Sequence, residues 1–243
     1  MLEIRHEHMT STAATQAVYD RLYREQGILR GDSLYLWLIS LLSPQPDRLL
    51  LDISCGEGRL VALAQRQGLR AIGMDFAMEG VRLGRADSPN SSWSVADGEC
   101  LPLADGSVDY VTHLGSLEHY MDPQLGACEI GRVLKPGGRA CVLLPNAYGL
   151  FGNINHVCAT GEIFDDGQPL QRYATRRTWE TILCKGGLRL EQVIRYEVEL
   201  PRTWRDAAWL IRHPFKLLRA WLTPLIPINL TSHFVFICSR GVA

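Results

Sequence analysis

"LLLDISCGEGRL", Leu49 to Leu60, is the stretch from which the rest of the chain is read. An apolar run ends on an acid, Asp52, and then breaks at Gly56 and Gly58, as a buried strand does when it enters a nucleotide-binding loop. Glycine there permits positive φ and close approach of a ligand to the main chain, and the helix that follows offers an electropositive N-terminus. A Gly-x-Gly pair alone does not choose the ligand.

Outward from this loop, segments of two periods alternate. "RLLLDI" (48–53), "LRAIGMD" (69–75), "SWSVAD" (92–97), "SVDYVTHL" (107–114) and "GRACVLLPN" (138–146) are short and apolar, which suits strands buried on both faces. Helix-like runs separate them: "GRLVALAQRQG" (58–68), "AMEGVRLGRA" (77–86) and "DPQLGACEIGRVLKPGG" (122–138), the last opening on Asp122-Pro123 as an N-cap and first-turn proline. Strand and helix at this spacing predict right-handed βαβ units in a doubly wound, mostly parallel α/β sheet. Two helices are expected before the first strand, in "ATQAVYDRLYREQG" and "DSLYLWLISLL". After Asn146 come a Gly/Asn/Asp-rich passage (147–169), a helix (175–187), a strand (188–199), an unusual segment from Leu200 to Ser232, and a closing strand (233–240).

Two details discriminate between nucleotides. A dinucleotide fingerprint wants a third glycine where Val61 stands, and Asp52 would repel a pyrophosphate, which argues against an NAD-dependent oxidoreductase. The same carboxylate suits a ligand carrying an ammonium and a sulfonium, the methionine end of S-adenosylmethionine.

With these motifs the chain resembles the class I S-adenosylmethionine-dependent methyltransferases. "LLLDISCGEGRL" is similar to the family's first motif, "AIGMDF" to the acidic end of its second strand, "VADGECLPLADGSVDYVTHLGSLEHYMDP" to its third and fourth strand region, and "EIGRVLKPGGRACVLLPN" to its fifth strand. The likeness is close over 48–146 and nearest to the small-molecule branch that includes quinone-biosynthesis methyltransferases. It implies a seven-stranded Rossmann-like sheet with an antiparallel last strand, in one domain over 1–243 with an N-terminal helical cap (1–45) and acceptor-side insertions at 147–175 and 200–232.

The resemblance also implies roles. Asp52 would hold the methionine ammonium, with Cys55, Gly56 and Gly58 lining that moiety. Asp75 would accept the ribose hydroxyls, Phe76 would pack on adenine, and Asp97 and Gly98 would address its amine and ring. His113 and Leu114 would flank the methyl-donating centre, and Tyr19 or Tyr23 would close over the cofactor. Each has a plainer alternative: Asp97-Gly98 as a turn, Asp75 as a helix N-cap, Phe76 as core.

Methyl transfer from a sulfonium is an in-line displacement, so positioning supplies most of the acceleration and a base is needed only for a protonated nucleophile. Glu118 and His119, in "SLEHYMDP", fall at the acceptor's expected place. His119 is the candidate base because imidazole titrates near neutrality; the alternatives are an acceptor-binding or a structural histidine. Tyr148, Asn153, His156, Arg172 and Tyr173 are further acceptor candidates, mixing rings with hydrogen-bonding groups, although ordinary loops hold such residues too. The expected acceptor is a small molecule or lipid-like compound methylated at oxygen, carbon or nitrogen. A non-catalytic, cofactor-binding partner subunit is the competing function.

Composition bounds the partners. A formal net charge of -1 gives no basic face for nucleic acid, and "LGSL" stands where a base-amine methyltransferase would carry Asn-Pro-Pro-Tyr or Asp-Pro-Pro-Tyr. Seven cysteines without a Cys-x-x-Cys pair read as reduced, mostly buried thiols and favour the cytoplasm. "MLEIRHEHMTSTAATQ" lacks a signal-peptide core, and no run reaches the about 18 apolar residues of a spanning helix. His6 and His8 lack further ligands, so no metal is expected. The 200–232 segment holds three of the six tryptophans, interleaved with Arg202, Arg205, Arg212, Lys216 and Arg219. That pattern fits peripheral contact with the inner face of a membrane through 203–231, with a lid and a homodimer contact as the alternatives.

Overall fold

The structure is a computed structural model that describes residues 1–6, 12–28 and 30–241. In chain order it runs β1 (Leu2–Arg5), α1 (Thr12–Glu25), α2 (Asp32–Leu41), β2 (Leu49–Ile53), α3 (Arg59–Arg66), β3 (Arg70–Asp75), α4 (Met78–Asp87), β4 (Ser92–Val95) and β5 (Val108–Leu114). There follow α5 (Pro123–Val133), β6 (Leu134–Pro145), α6 (Asn155–Thr160), β7 (Leu170–Tyr173), α7 (Arg176–Lys185), β8 (Leu188–Tyr196), α8 (Trp204–Ile211), α9 (Pro214–Leu222) and β9 (His233–Arg240).

Seven strands form one sheet in the order β4-β3-β2-β5-β6-β9-β8. All neighbours pair in parallel except β9, which lies antiparallel to both β6 and β8. Strand order reverses at β2 and β5, and in such sheets ligands bind outside the carboxyl ends of the strands at that point.

The apolar strand runs are explained by two cores, because successive side chains alternate between faces. Leu51, Ile53, Val142 and Phe236 pack on one face with Ile130 of α5 and Trp179 of α7. Leu50, Leu143, Val235 and Ile237 pack on the other with Leu38 of α2 and Val61 of α3. Trp179 has no exposed surface, and its indole N–H donates to the Pro145 carbonyl at 2.8 Å, so neither its bulk nor its polar edge is wasted. Helix starts follow capping chemistry: the Asp122 carboxylate accepts the Gln124 N–H at 2.8 Å, and the Thr175 hydroxyl accepts the Thr178 N–H.

Three readings need correction. "LEIR", within the expected N-terminal helical cap (1–45), is strand: β1 pairs antiparallel with β7, Leu2 opposite Tyr173. Four of the seven thiols, Cys100, Cys128, Cys158 and Cys184, are exposed, so the cysteines are free but not mostly buried. The expected run 122–138 ends as helix at Val133, because Leu134 is already extended and Lys-Pro-Gly-Gly forms the approach to β6. His6 approaches Asp165 at 3.2 Å, and His8 lies outside the described residues. No group of three metal-ligating side chains occurs among the described residues, nor any helix long and apolar enough to cross a membrane.

Candidate active site

Beyond Ile53 the backbone turns through left-handed φ at Ser54 (56°), Gly56 (52°) and Gly58 (71°). At Ser54, a residue with a Cβ, this conformation costs about 1–3 kcal/mol. The Ser54 hydroxyl exchanges a hydrogen bond with Tyr120 at 3.0 Å, which helps hold the turn. The loop, the ends of β3 and β5, the segment after β4 and helix α1 enclose a cavity of about 560 Å³. Its size is that of a small-molecule site.

The cavity gathers most of the expected cofactor residues. Asp52, Cys55, Gly56, Asp75, Phe76, Asp97, Gly98 and Leu114 line it, with Tyr19 and Tyr23 of α1 above and His119 and Tyr120 opposite. Asp52 is buried, and its carboxyl accepts the Thr112 hydroxyl at 2.6 Å. Burial pushes its pKa up to about 7, offset in part by Thr112 and reinforced by Asp75. Among the described residues no cation pairs with it, so a ligand ammonium fits there. Asp75 is fixed by the N–H groups of Gly56 and Ala77, donating at 2.7 and 2.8 Å to its two oxygens. Burial raises it to about 6 against these bonds. Tyr23 also bonds this carboxyl, which leaves capacity for one further donor. Asp75 is not the N-cap of α4, a position that Ala77 holds without a side-chain cap.

Gly98 has a tight packing reason to be glycine: a Cβ there would lie 1.8 Å from the Tyr120 hydroxyl. That hydroxyl also lies 2.9 Å from Nε2 of His113. His113 is therefore one layer behind the cavity wall and acts through Tyr120. Its burial pushes its pKa down to about 3, so it is a neutral imidazole. Gly58 does not line the cavity. A Cβ there would meet the Trp93 ring at 2.1 Å, so this indole and the left-handed φ, not a ligand, require the glycine.

At the other end of the cavity His119 lines the wall, whereas Glu118, expected at the acceptor, is buried behind it and Asp166 stands beside it; neither carboxyl lines the cavity. His119 Nδ1–H donates to the Leu170 carbonyl at 2.5 Å, which fixes the tautomer and leaves Nε2 as the acceptor. Nε2 stands 3.9 Å from the Asp166 carboxylate and 4.0 Å from that of Glu118. Burial lowers the His119 pKa while Asp166 raises it. Burial raises Glu118 to about 8, so it is predominantly protonated at neutral pH. Asp166 and Tyr120 had no signal in the sequence, since both depend on a contact made by folding.

The remaining acceptor candidates are not gathered here. Arg172 spends its guanidinium on Glu3 at 2.7 Å and on the Tyr120 and Met121 carbonyls, so it clamps the loop and is not free for an acceptor. Tyr173 donates to the Phe164 carbonyl at 2.9 Å, Asn153 accepts the Phe164 N–H, and His156 packs edge-on against the Phe164 ring. Tyr148 is exposed. These five organise or decorate the 147–175 segment; what that segment brings to the cavity is Gln168.

Residues 51–142 match the family described as methyltransferase domain. A demethylmenaquinone methyltransferase of Corynebacterium kroppenstedtii is 35% identical over 101 residues, 42% of this chain and 43% of that protein. The chain spans about half the length of the curated relatives it matches. Among solved structures, the 4+2 cyclase SpnF superposes with a TM-score of 0.68 at 17% identity, over 96% of this chain and 98% of that one. A geranyl diphosphate C-methyltransferase from Streptomyces coelicolor A3(2), in complex with Mg2+, geranyl diphosphate and S-adenosyl-L-homocysteine, gives 0.61 at 17% identity, over 96% and 85%. At such identity these two establish the fold alone. The matched residues and the seven-stranded sheet with its antiparallel β9 make the chain similar in fold to the class I S-adenosylmethionine-dependent methyltransferases.

Proposed function

We propose that this chain methylates a small-molecule acceptor at oxygen, carbon or nitrogen, with His119 removing the acceptor's proton. The observation that carries the reading is the His119 tautomer: Nδ1–H is spent on Leu170, so the lone pair of Nε2 is the atom left to receive a proton. It lies on the same cavity as the Asp52, Gly56 and Asp75 cradle. Bound S-adenosylmethionine supplies the electrophilic methyl, which is displaced in line. Asp52 would hold the cofactor's ammonium and Asp75 its ribose hydroxyls. The Asp166 carboxylate stabilises the imidazolium that forms when Nε2 takes the proton. Similarity to a demethylmenaquinone methyltransferase supports a small-molecule acceptor.

The test is a mass-spectrometric screen of cofactor conversion against quinone precursors, phenols and lipid extracts, run beside calorimetric titration of the cofactor. Conversion with one of these classes, abolished in His119→Ala, is expected. Cofactor binding without turnover on any of them would replace this reading with a non-catalytic cofactor-binding subunit.

A further inference from the structure

Helices α8 and α9 form a hairpin that leaves its apolar side chains in water. Trp204 is 92% exposed, Phe215 85% and Trp221 79%, and every residue from Ile211 to Leu218 is exposed. Of the two helices only Leu210 and Ala220 are buried. A contiguous apolar surface of this kind marks an interface.

Charge identifies the partner. Arg202, Arg205, Arg212 and Lys216 stand exposed among the rings, and none forms an ion pair with the described residues. The segment's single acid, Asp206, is turned inward, accepting from the N–H and hydroxyl of Ser33 at 2.8 and 2.6 Å. Arg219 is the exception among the cations: it is tied inward to Glu197 and Ser232. The outer face is thus apolar and purely cationic. Two copies of it would set like charges against each other across a symmetry axis. A layer of anionic headgroups over acyl chains satisfies both features. Helices of eight and nine residues are about 12–14 Å long, enough to lie in the interface and too short to cross it.

A second observation connects this face to the active site. Beneath the hairpin runs a groove of about 1040 Å³, with Trp209, Arg212 and Lys216 on one wall and Arg30, Glu57 and Arg59 on the other. The latter three also line the candidate active-site cavity. We propose that the α8–α9 hairpin docks this protein on an anionic lipid bilayer and that the groove beneath it leads from that surface to the cavity. Docking stands independently of the chemistry; delivery of an acceptor through the groove rests on the methyl-transfer reading.

The experiment is flotation of the full chain, without cofactor or acceptor, on vesicles of phosphatidylcholine alone or mixed with phosphatidylglycerol, with light scattering of the free protein. Wild type should float with the mixed vesicles at low salt, detach as salt rises, and show blue-shifted tryptophan emission when bound. Each cation near an anionic surface is worth about fivefold in binding, so Arg205→Glu with Arg212→Glu and Lys216→Glu should lower it by more than about a hundredfold. Phe215→Ser with Trp221→Ser should detach the protein at every salt concentration. These side chains are exposed, so both variants should melt as wild type does. Docking is overturned if wild type stays unbound on mixed vesicles or the triple variant floats equally well. A dimer that Phe215→Ser with Trp221→Ser dissociates, without vesicle binding by wild type, would assign the face to a second copy of the chain.

Discussion

Asp52 is expected to couple cofactor binding to pH. Its carboxyl is buried at the end of β2, held by the Thr112 hydroxyl, and shifted to about 7 chiefly by burial. A cationic ligand group favours the ionised carboxylate, so below pH 7 binding must first expel a proton. For a group of pKa about 7 the apparent dissociation constant at pH 5 is about a hundredfold weaker than at its high-pH limit, and at pH 8 it is within about 10% of that limit. Asp75, at about 6, adds up to about tenfold more at pH 5 if ribose hydroxyls also require its ionised form.

Asp52→Asn isolates the first contribution. The amide oxygen can still accept from Thr112, but no proton remains to be expelled, so the about tenfold change between pH 6 and pH 8 should largely disappear. Affinity at pH 8 should fall by about 1.5–3 kcal/mol, the scale of a hydrogen bond to a charged group. Calorimetric titration in two buffers of different ionisation enthalpy counts the released protons directly. The ligand-free protein offers a second readout. A carboxyl raised by folding contributes stability at low pH that is lost as pH rises toward its folded pKa, so Asp52→Asn should gain in melting temperature relative to wild type between pH 5 and pH 8. A wild-type dissociation constant that stays flat from pH 5 to pH 8, or the same slope in the variant, would refute the assignment of Asp52 to the cationic end of the ligand.

Asp75→Ala should weaken cofactor binding by at least about 1.5–3 kcal/mol, more if the Gly56 and Ala77 amides it anchors come loose; unchanged affinity by titration would remove it from the site. His119→Ala should lower turnover at neutral pH by about 10²–10⁴ with cofactor affinity intact, whereas a raised KM with full turnover at saturation would make it a positioning residue. Asp166 raises the His119 pKa, so Asp166→Asn should move the acidic limb of the pH–rate profile to lower pH, and an unmoved limb would exclude that coupling. Gly58→Ala combines a left-handed φ with a Cβ 2.1 Å from Trp93 and should destabilise by about 2–4 kcal/mol in chemical denaturation; a wild-type midpoint would mean that the indole gives way freely.

What was legible in the sequence and what was not divides along sequence separation. Strands buried on both faces write themselves as unbroken apolar runs, so β2, β3, β5, β6 and β9 were expected within a residue or two of their observed ends, save the turn before β6. Gly56 likewise announces a turn, because positive φ is a local demand. Gly58 answers the same local demand, but its expected place beside the ligand is taken by a distant residue, Trp93. Arg172 advertised its donors, but Glu3 and the Tyr120 carbonyl that claim them are far away in the chain. β1 was missed because four half-polar residues become a strand only when β7 arrives to pair with them.

The same logic explains why the acid–base end was only half seen. His119 stood out as a titratable residue just beyond a strand, but what makes it a base is the Leu170 carbonyl, 51 residues on, and what tunes it is Asp166. Both belong to the passage that β1 draws in: β1 pairs with β7, β7 brings Leu170 to Nδ1, and the Asp166 loop lies immediately before it. Arg172 of β7 then ties the strand to Tyr120 and Met121, on the far side of the histidine. An N-terminal tetrapeptide without a chemical group in the cavity therefore bears on the protonation of one that is there. Loosening β1 should free the imidazole to flip and lose its fixed tautomer before it disturbs the Asp52 and Asp75 end, which is anchored on β2, β3 and β5.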